Sequence, residues 1–288
     1  MPEPITPHTR KVGLIGWPVG HSGSPRMHNA AFAAAGMDWV YLPLPVPVTP
    51  KDRIGEAVRG LEALGFRGAN VTIPHKRNVM SHLSDISAVA RAAGAVNTLT
   101  VRDSGDLAGD NTDVWGFYSV LEEAEWSAHG GSALVLGAGG SARAVLTGLL
   151  EAGCRDVRVH NRTRTRAEEL VRDFRALYPA ASLHVTGSEQ EVSAAGREVD
   201  LVVNSTSLGM DPHVDTCPVA PDFPWRSGQW AYDLVYRRAG QGGALGSAGM
   251  VRRGREGAGA FEIWTGRRPD LDLMRRELNL HLGFQTDG

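Results

Sequence analysis

Cysteine is scarce in this chain. Cys154 and Cys217 are the only two thiols in 288 residues, too few for a disulfide framework and not in the paired spacing of a metal site. An excess of charge of one sign is also missing. Lys and Arg number 30 against 32 Asp and Glu, a formal net charge of -2, which removes the electrostatic case for nucleic acid or an acidic membrane surface as partner. No run approaches the ~18 apolar residues that cross a bilayer. The stretch from Met1 to Lys11 is polar and interrupted by proline, where a secretory leader would be continuously apolar. These absences make the cytoplasm the expected address. No His, Cys, Asp or Glu cluster has metal-ligand spacing, so no metal is expected.

What is present is an ordinary globular composition, 42% hydrophobic and 22% charged. The length exceeds what one hydrophobic core usually supports, which points to two domains. In the first half, residues 11–16 read as a buried strand. An alanine-rich helix runs from Pro25 to about Ala35 and stops at Gly36, with Ser24 as a good N-cap. Residues 40–47, with alternate prolines, suggest an edge strand, and 52–64 have helical spacing. A strand at 68–73 is closed by Pro74; a helix around 86–93 and strands at 95–100 and 107–109 follow.

From Ser132 strands and helices alternate. Residues 133–136, 157–160, 183–185, 200–204 and 231–235 read as strands. Helices end at Ala152, span 164–177, and open at Ser188 with a capping-box pattern. This alternation implies a parallel, doubly wound α/β sheet. An amphipathic helix over 270–282 closes the chain and is expected to return to the first domain.

Gly137-Ala138-Gly139-Gly140-Ser141-Ala142 lies between the strand at 133–136 and the following helix. The first glycine permits a tight turn, the second lets a pyrophosphate approach the backbone, and small Ala142 allows the helix to pack closely on the strand. An anion there would face free N–H groups and the positive end of the helix dipole. An NAD-specific site usually carries a carboxylate at the end of the next strand. Here stand Asn161, Arg162, Thr163 and Arg166, and guanidinium groups bind a 2′-phosphate that a carboxylate would repel. NADP is the cofactor expected. Taken alone, the basic run could be only a solvated turn.

Four short polar clusters in the first half are not required by the fold: His21-Ser22-Gly23-Ser24-Pro25, Asn70-Val71-Thr72-Ile73-Pro74-His75-Lys76, Gly94-Ala95-Val96-Asn97-Thr98, and Gly109-Asp110-Asn111-Thr112-Asp113. Each follows or ends a strand, where loops converge on a cleft. With the glycine loop and Asn161-Arg162-Thr163, in this order, they resemble the shikimate dehydrogenase family. The resemblance implies a two-domain α/β enzyme. Its substrate domain is residues 1–112 with 258–288, and its Rossmann-like NADP domain is residues 113–257.

The same resemblance implies that Lys76 is the catalytic lysine and Asp113 its partner. It also implies that Ser22 and Ser24 hold the substrate carboxylate, that Thr72, Asn97 and Tyr236 contact the ring and its hydroxyls, and that Leu234 falls near the nicotinamide. The expected reaction is reversible reduction of 3-dehydroshikimate to shikimate. A ketone receiving hydride develops negative charge on oxygen, which an adjacent ammonium stabilises and protonates. Lys76 fits that role, with Asp113 fixing its position; a surface ion pair is the bland alternative. For Ser24 capping reads as the primary role, whereas Ser22 caps nothing evident. His21, His28 and His75 read as loop and helix-packing residues. A homodimer stays open, because the sequence does not set oligomeric state.

After Tyr236 the family pattern of Asn-Pro, an apolar helix and Gly-Met-Leu followed by a glutamine is lost. Residues 237–259 hold 8 Gly, 5 Arg and 4 Ala among 23, and Gln241 lies among glycines that disfavour a helix. No substrate glutamine is assigned. The family pattern resumes at Ala260. One hypothesis is a segment translated from a shifted reading frame and later restored. Reading the nucleotide sequence in the other two frames tests it, and absence of both Asn-Pro and Met-Leu-x-x-Gln there would rule it out. Two other functions compete: a quinate or amino-shikimate dehydrogenase, and a non-catalytic NADP-binding sensor that lost turnover through this segment.

Overall fold

A computed structural model describes residues 5–49, 53–209, 215–235 and 248–281, without side chains for 248–254. Tyr236, Gln241 and the remainder of 236–247 lie outside the described residues. The chain divides into two compact units, residues 1–116 with 253–288, and residues 117–252.

In the first unit, strands β1 (Arg10–Gly16), β2 (Trp39–Pro45), β3 (Phe66–Val71), β4 (Asp85–Ile86), β5 (Thr98–Val101) and β6 (Leu107–Asp110) form one sheet in the order β2-β1-β3-β5-β6-β4. β1 pairs in parallel with β2 and β3, and β5 runs antiparallel to β3 and β6. Helices α1 (Ser24–Ala34), α2 (Arg53–Ala63) and α3 (Ala88–Ala93) connect them. β1 can sit centrally because Val12 and Leu14 belong to one apolar cluster and Ile15 to another, so both sheet faces are covered. α1 ends where the sequence predicts, with Gly36 at φ +62° in the left-handed region.

Three local expectations change. Helix α1 begins at Ser24 with Gly23 as N-cap and no side-chain cap. Ser22, which the sequence left without a capping role, supplies the hydroxyl that accepts the Ser24 N–H at 3.2 Å. Gly23 is buried so tightly that a Cβ would lie 2.7 Å from Leu278. The expected helix around 86–93 starts later, because Ile86 pairs with Gly109 as strand and Ser87 caps α3 through the Ala90 N–H at 3.1 Å. Helix α4 (Thr112–Glu123) was not expected at all. Asn111 Oδ1 accepts the Asp113 N–H at 3.0 Å and so starts it. Its apolar residues Val114, Phe117 and Leu121, all buried, do have helical spacing; the preceding polar cluster, read as a loop, obscured them.

The second unit holds β7 (Ser132–Leu136), α5 (Gly140–Glu151), β8 (Asp156–His160), α6 (Arg164–Leu177), β9 (Ser182–Thr186), α7 (Glu189–Gly196), β10 (Leu201–Asn204) and β11 (Trp230–Asp233). Its strands are all parallel in the order β11-β10-β7-β8-β9, the doubly wound arrangement expected. Ala133 and Val135 pack in one core and Leu134 and Leu136 in another, which explains why β7 reads as an unbroken apolar run. The capping box at α7 forms in shifted guise. Ser188 accepts the Glu191 N–H at 3.2 Å, while Glu191 accepts the Gly187 N–H at 2.6 Å instead of that of Ser188.

Helices α8 (Ala248–Thr265) and α9 (Leu271–His281) complete the described chain. α8 starts well before Ala260, inside the Gly/Arg/Ala-biased segment. Gly257 sits tightly against the core: a Cβ on it would lie 2.3 Å from Met27 Cε and 3.2 Å from Met274 Cε, so a larger residue there requires the methionine side chains to shift. Met274 belongs to the same cluster as Met27, Phe32 and Phe261, and Glu277 of α9 pairs with Arg26 of α1 at 2.7 Å.

Candidate functional site

Residues 72–77 leave the end of β3 as a short loop that carries Lys76. Its backbone is pinned from two directions. The Val96 N–H donates to the Lys76 carbonyl at 2.8 Å, and the buried His75 ring donates from Nε2 to the Val46 carbonyl at 2.7 Å. Thr72, half-buried, packs so closely on β1 that a Cβ on Gly16 would meet its methyl at 2.3 Å.

The Lys76 ammonium donates to Asp113 Oδ2 at 2.5 Å. Asp113 is 3% exposed at its side chain and Lys76 18%, so the carboxylate is enclosed while the ammonium keeps an opening. Such a pair differs from the screened surface bridges that contribute little. Asp113 stands in the first turn of α4, where a negative charge is favoured by the helix dipole.

Asn97 donates from Nδ2 to Asp113 Oδ1 at 2.8 Å and to Thr112 Oγ1 at 3.1 Å. Its Oδ1 accepts the Thr112 N–H at 2.8 Å and the Thr98 hydroxyl at 3.0 Å. Both ends of its amide are therefore engaged by protein. Asn70 adds a further layer, donating to Thr98 Oγ1 at 3.2 Å and to the Asn97 carbonyl at 3.1 Å. Its own Oδ1 accepts the Tyr41 phenol at 2.9 Å.

Ser22 Oγ donates to Ser24 Oγ at 3.2 Å. Burial raises the Tyr41 phenol far above its ordinary range, and Ser24 pulls the other way. Beneath Tyr41 lies His28, stacked at 4.4 Å between ring centroids and 3° between planes. Burial depresses this imidazole to about 3, so it is neutral in the fold. Among the predicted residues, Lys76, Asp113 and Asn97 thus join one set of contacts, while Ser22 and Ser24 bond to each other. Tyr41, Asn70, Thr98 and Thr112 complete the set. Three of these lay inside the polar clusters without an assigned role, whereas Tyr41, on an apolar edge strand, gave no signal in sequence.

In the second unit the loop from Gly137 to Ala142 joins β7 to α5 beside the point where the sheet order reverses, between β7 and β10. Gly137 has φ +114°, and a Cβ on it would lie 2.6 Å from Ser205 Oγ. A Cβ on Gly139 or Gly140 would meet nothing within 4 Å, so the loop is open above the start of α5. Gly139 is the N-cap and provides no side-chain cap, which leaves the first N–H groups of α5 available to an anion. Ala142 is fully buried and Ala138 packs against the core.

Past β8, Asn161 donates to the Thr163 carbonyl at 2.9 Å, while Arg162 and Arg166 are exposed and enter no ion pair among the described residues. These features suit a dinucleotide carrying an additional phosphate. Leu234 is buried in the apolar core of this unit, with its N–H on the Asn204 carbonyl at 3.0 Å. Among the described residues no group of His, Cys, Asp and Glu has the form of a metal site, and no helix is long and apolar enough to cross a membrane.

Comparison with known proteins matches three consecutive stretches. The shikimate dehydrogenase substrate binding domain matches residues 14–99, shikimate / quinate 5-dehydrogenase residues 121–210, and the shikimate 5'-dehydrogenase C-terminal domain residues 257–278. The NADP(+) shikimate dehydrogenase of Moorella thermoacetica is 44% identical over 97% of this chain and 96% of its own. That of Methanothermobacter thermautotrophicus is 40% identical over 95% and 97%. The crystal structure of shikimate 5-dehydrogenase from Thermus thermophilus in complex with NADP(H) and shikimate is 33% identical. It superposes with a TM-score of 0.80 over 94% of this chain and 99% of its own. Identity sustained across nearly the whole length, on a fold that carries both the enclosed lysine–aspartate pair and the open glycine loop, leads to one conclusion: the chain belongs to the shikimate dehydrogenase family.

Proposed function

We propose that this protein reduces the ring ketone of 3-dehydroshikimate to the alcohol of shikimate, reversibly and with NADPH, in the pathway to aromatic amino acids. The observation that carries the reading is the Lys76–Asp113 pair, a carboxylate 3% exposed that holds an ammonium 18% exposed. Lys76 stabilises the charge that develops on the ketone oxygen and donates the proton, and Asp113 fixes where that proton is presented. Ser22 and Ser24 take the substrate carboxylate. Thr72, Asn97 and Tyr236 bound the ring, Asn97 while also holding Asp113.

NADPH, when bound, supplies the hydride. For its site we assign the N–H groups from Gly137 to Ala142 to the pyrophosphate and Asn161, Arg162, Thr163 and Arg166 to the 2′-phosphate. Leu234 closes the apolar end. On this reading the substrate domain corresponds to residues 1–112 with 258–288 and the NADP domain to residues 113–257. The proposal includes a cytoplasmic address and a homodimer; light scattering coupled to size exclusion measures the latter.

The experiment follows NADPH absorbance with 3-dehydroshikimate, NADH replacing NADPH in one parallel reaction and quinate being oxidised with NADP+ in another. Turnover that falls about 100- to 10,000-fold in Lys76→Ala while NADPH still binds is the expected result. Turnover that survives the substitution removes Lys76 as proton donor. Binding of NADPH with no turnover in the native chain replaces the enzyme by a sensor.

A further inference from the structure

Two neighbouring strands of the second unit, β10 and β11, end in the same way, and one buried amide ties their ends together. Asn204, the last residue of β10, has no exposed surface. Its Oδ1 accepts both the N–H and the hydroxyl of Thr206, at 3.0 and 2.7 Å. Its Nδ2 donates to Asp233 Oδ1 at 2.9 Å and reaches the Leu208 carbonyl at 3.4 Å. Asp233, the last residue of β11 and also buried, uses the same oxygen to accept the Val235 N–H at 2.9 Å. Each side chain thus folds the residues after its strand into a turn, and Thr206 Oγ1 extends the first turn by accepting the Leu208 N–H at 3.1 Å. Joining the two turns where water does not reach takes a side chain with both an acceptor and a donor, which an amide has and a carboxylate lacks.

The place of these turns bears on the cofactor. The strand order β11-β10-β7-β8-β9 puts the glycine loop after β7 in the middle, with Arg162 and Arg166 past β8 on one side and the two turns on the other. A dinucleotide whose pyrophosphate lies on the loop and whose 2′-phosphate lies on the arginines has its nicotinamide half over the ends of β10 and β11. The first turn also abuts the loop itself. The Ser205 N–H and hydroxyl both donate to the Leu136 carbonyl, at 2.8 and 2.7 Å, one residue before Gly137. On the reading that NADPH is the hydride donor, we infer that Asn204 and Asp233 are positioning residues for the nicotinamide. The amide of Asn204 is engaged by protein groups at both ends, so it acts through the backbone of residues 205–208 and 234–235, which it holds as one floor. Hydride transfer depends on where the nicotinamide C4 is held, and a displacement of about 1 Å costs about 100-fold in rate.

Asn204→Ala removes the joint, and Asn204→Asp leaves a carboxylate that still accepts from Thr206 but meets Asp233 with like charge. In Asn204→Ala, kcat for 3-dehydroshikimate with NADPH should fall about 100-fold. NADPH carrying deuterium at the transferred position of C4 should then give an isotope effect on kcat no smaller than the native one. Affinity for adenosine 2′,5′-bisphosphate, which has the 2′-phosphate and no nicotinamide, should keep its native value by isothermal titration. Asn204→Asp should be slow at neutral pH and recover as pH falls, read as the ratio of its kcat to the native kcat, because one proton shared by the two carboxyl groups restores the missing hydrogen bond. Acid does not mend damage to the fold at large. Where melting temperature shows that Asn204→Ala has not folded, Thr206→Val, which deletes only a hydroxyl of the first turn, takes its place and should lower kcat about 10-fold with the same isotope signature. An unchanged kcat, a fall in kcat whose isotope effect vanishes, an equal loss of bisphosphate affinity, or an Asn204→Asp ratio flat with pH overturns the assignment. A native chain that binds NADPH and turns over no 3-dehydroshikimate counts instead against the proposed reaction, which separates the two failures.

Discussion

In the unit formed by residues 1–116 and 253–288 the candidate chemistry sits in an enclosed web of side chains, whereas in residues 117–252 it rests on backbone N–H groups and exposed arginines. The first arrangement suits proton delivery to one atom, which needs a donor held in place by groups that are themselves held. The second suits a multiply charged phosphate ligand, for which a helix start and guanidinium forks provide charge without a tightly packed cage. Each has its own weakness. The web depends on buried polar partners that become costly when one is removed, and the loop depends on a backbone conformation open only to glycine.

Gly137→Ala attacks the loop at its most constrained point. With φ at +114° and Ser205 Oγ 2.6 Å from the added methyl, the substitution is expected to cost about 1–3 kcal/mol of stability and to weaken NADPH binding. Thermal unfolding and fluorescence titration measure the two effects; a variant indistinguishable in both would show that the turn is not what the cofactor requires.

The web has a corresponding sensitivity to acid. His28 lies in the first unit with its imidazole depressed from 6.5 to about 3 by burial, so it is neutral when folded and gains a proton on unfolding. The stability it permits is whole above its ordinary value and declines as pH drops from there toward its folded value. The slope is about 1.4 kcal/mol per pH unit. Urea unfolding at several pH values between about 7 and about 5 should reveal this slope, and His28→Phe, which keeps an aromatic ring against Tyr41, should flatten it. An equal slope in the variant would place the acid sensitivity elsewhere.

Arg162→Ala is the mildest of the three and tests whether charge is what the second unit provides. NADPH affinity is expected to fall about 10-fold while NADH affinity changes by less than about 2-fold, read by isothermal titration. Equal losses for both dinucleotides would mean that Arg162 supports the loop instead of recognising the 2′-phosphate.

Much of the second unit was legible in the sequence, because its determinants are local. An apolar run covered on both faces, a glycine turn and the next capped helix all lie within a few residues, and β7, α5, β8 and α6 appear where the pattern put them. In the first unit every strand but β4 was legible to within a few residues, but two determinants of the site were not. Helix α4 starts because Asn111 caps it, and the polar residues that do so look like loop when read alone. The N-cap expected at Ser24 is Gly23 instead, which is confined by Leu278 and sets the start of α1 one residue early.

Taken by itself, then, the sequence determined the alternation of strands and helices, the doubly wound sheet, the phosphate-binding turn and the residue types available for proton transfer. Those properties follow from periodicity and from backbone preferences that act over one or two turns of chain. Only the tertiary structure decided that Tyr41, Asn70, Thr98 and Asn97 stand in line toward Asp113, and that Asp113 meets Lys76 37 residues away in the chain. Hydrogen-bond partners separated by tens of residues have no spacing rule. They are brought together by strand register and helix start, and a buried donor or acceptor must find a partner among whatever groups packing places beside it.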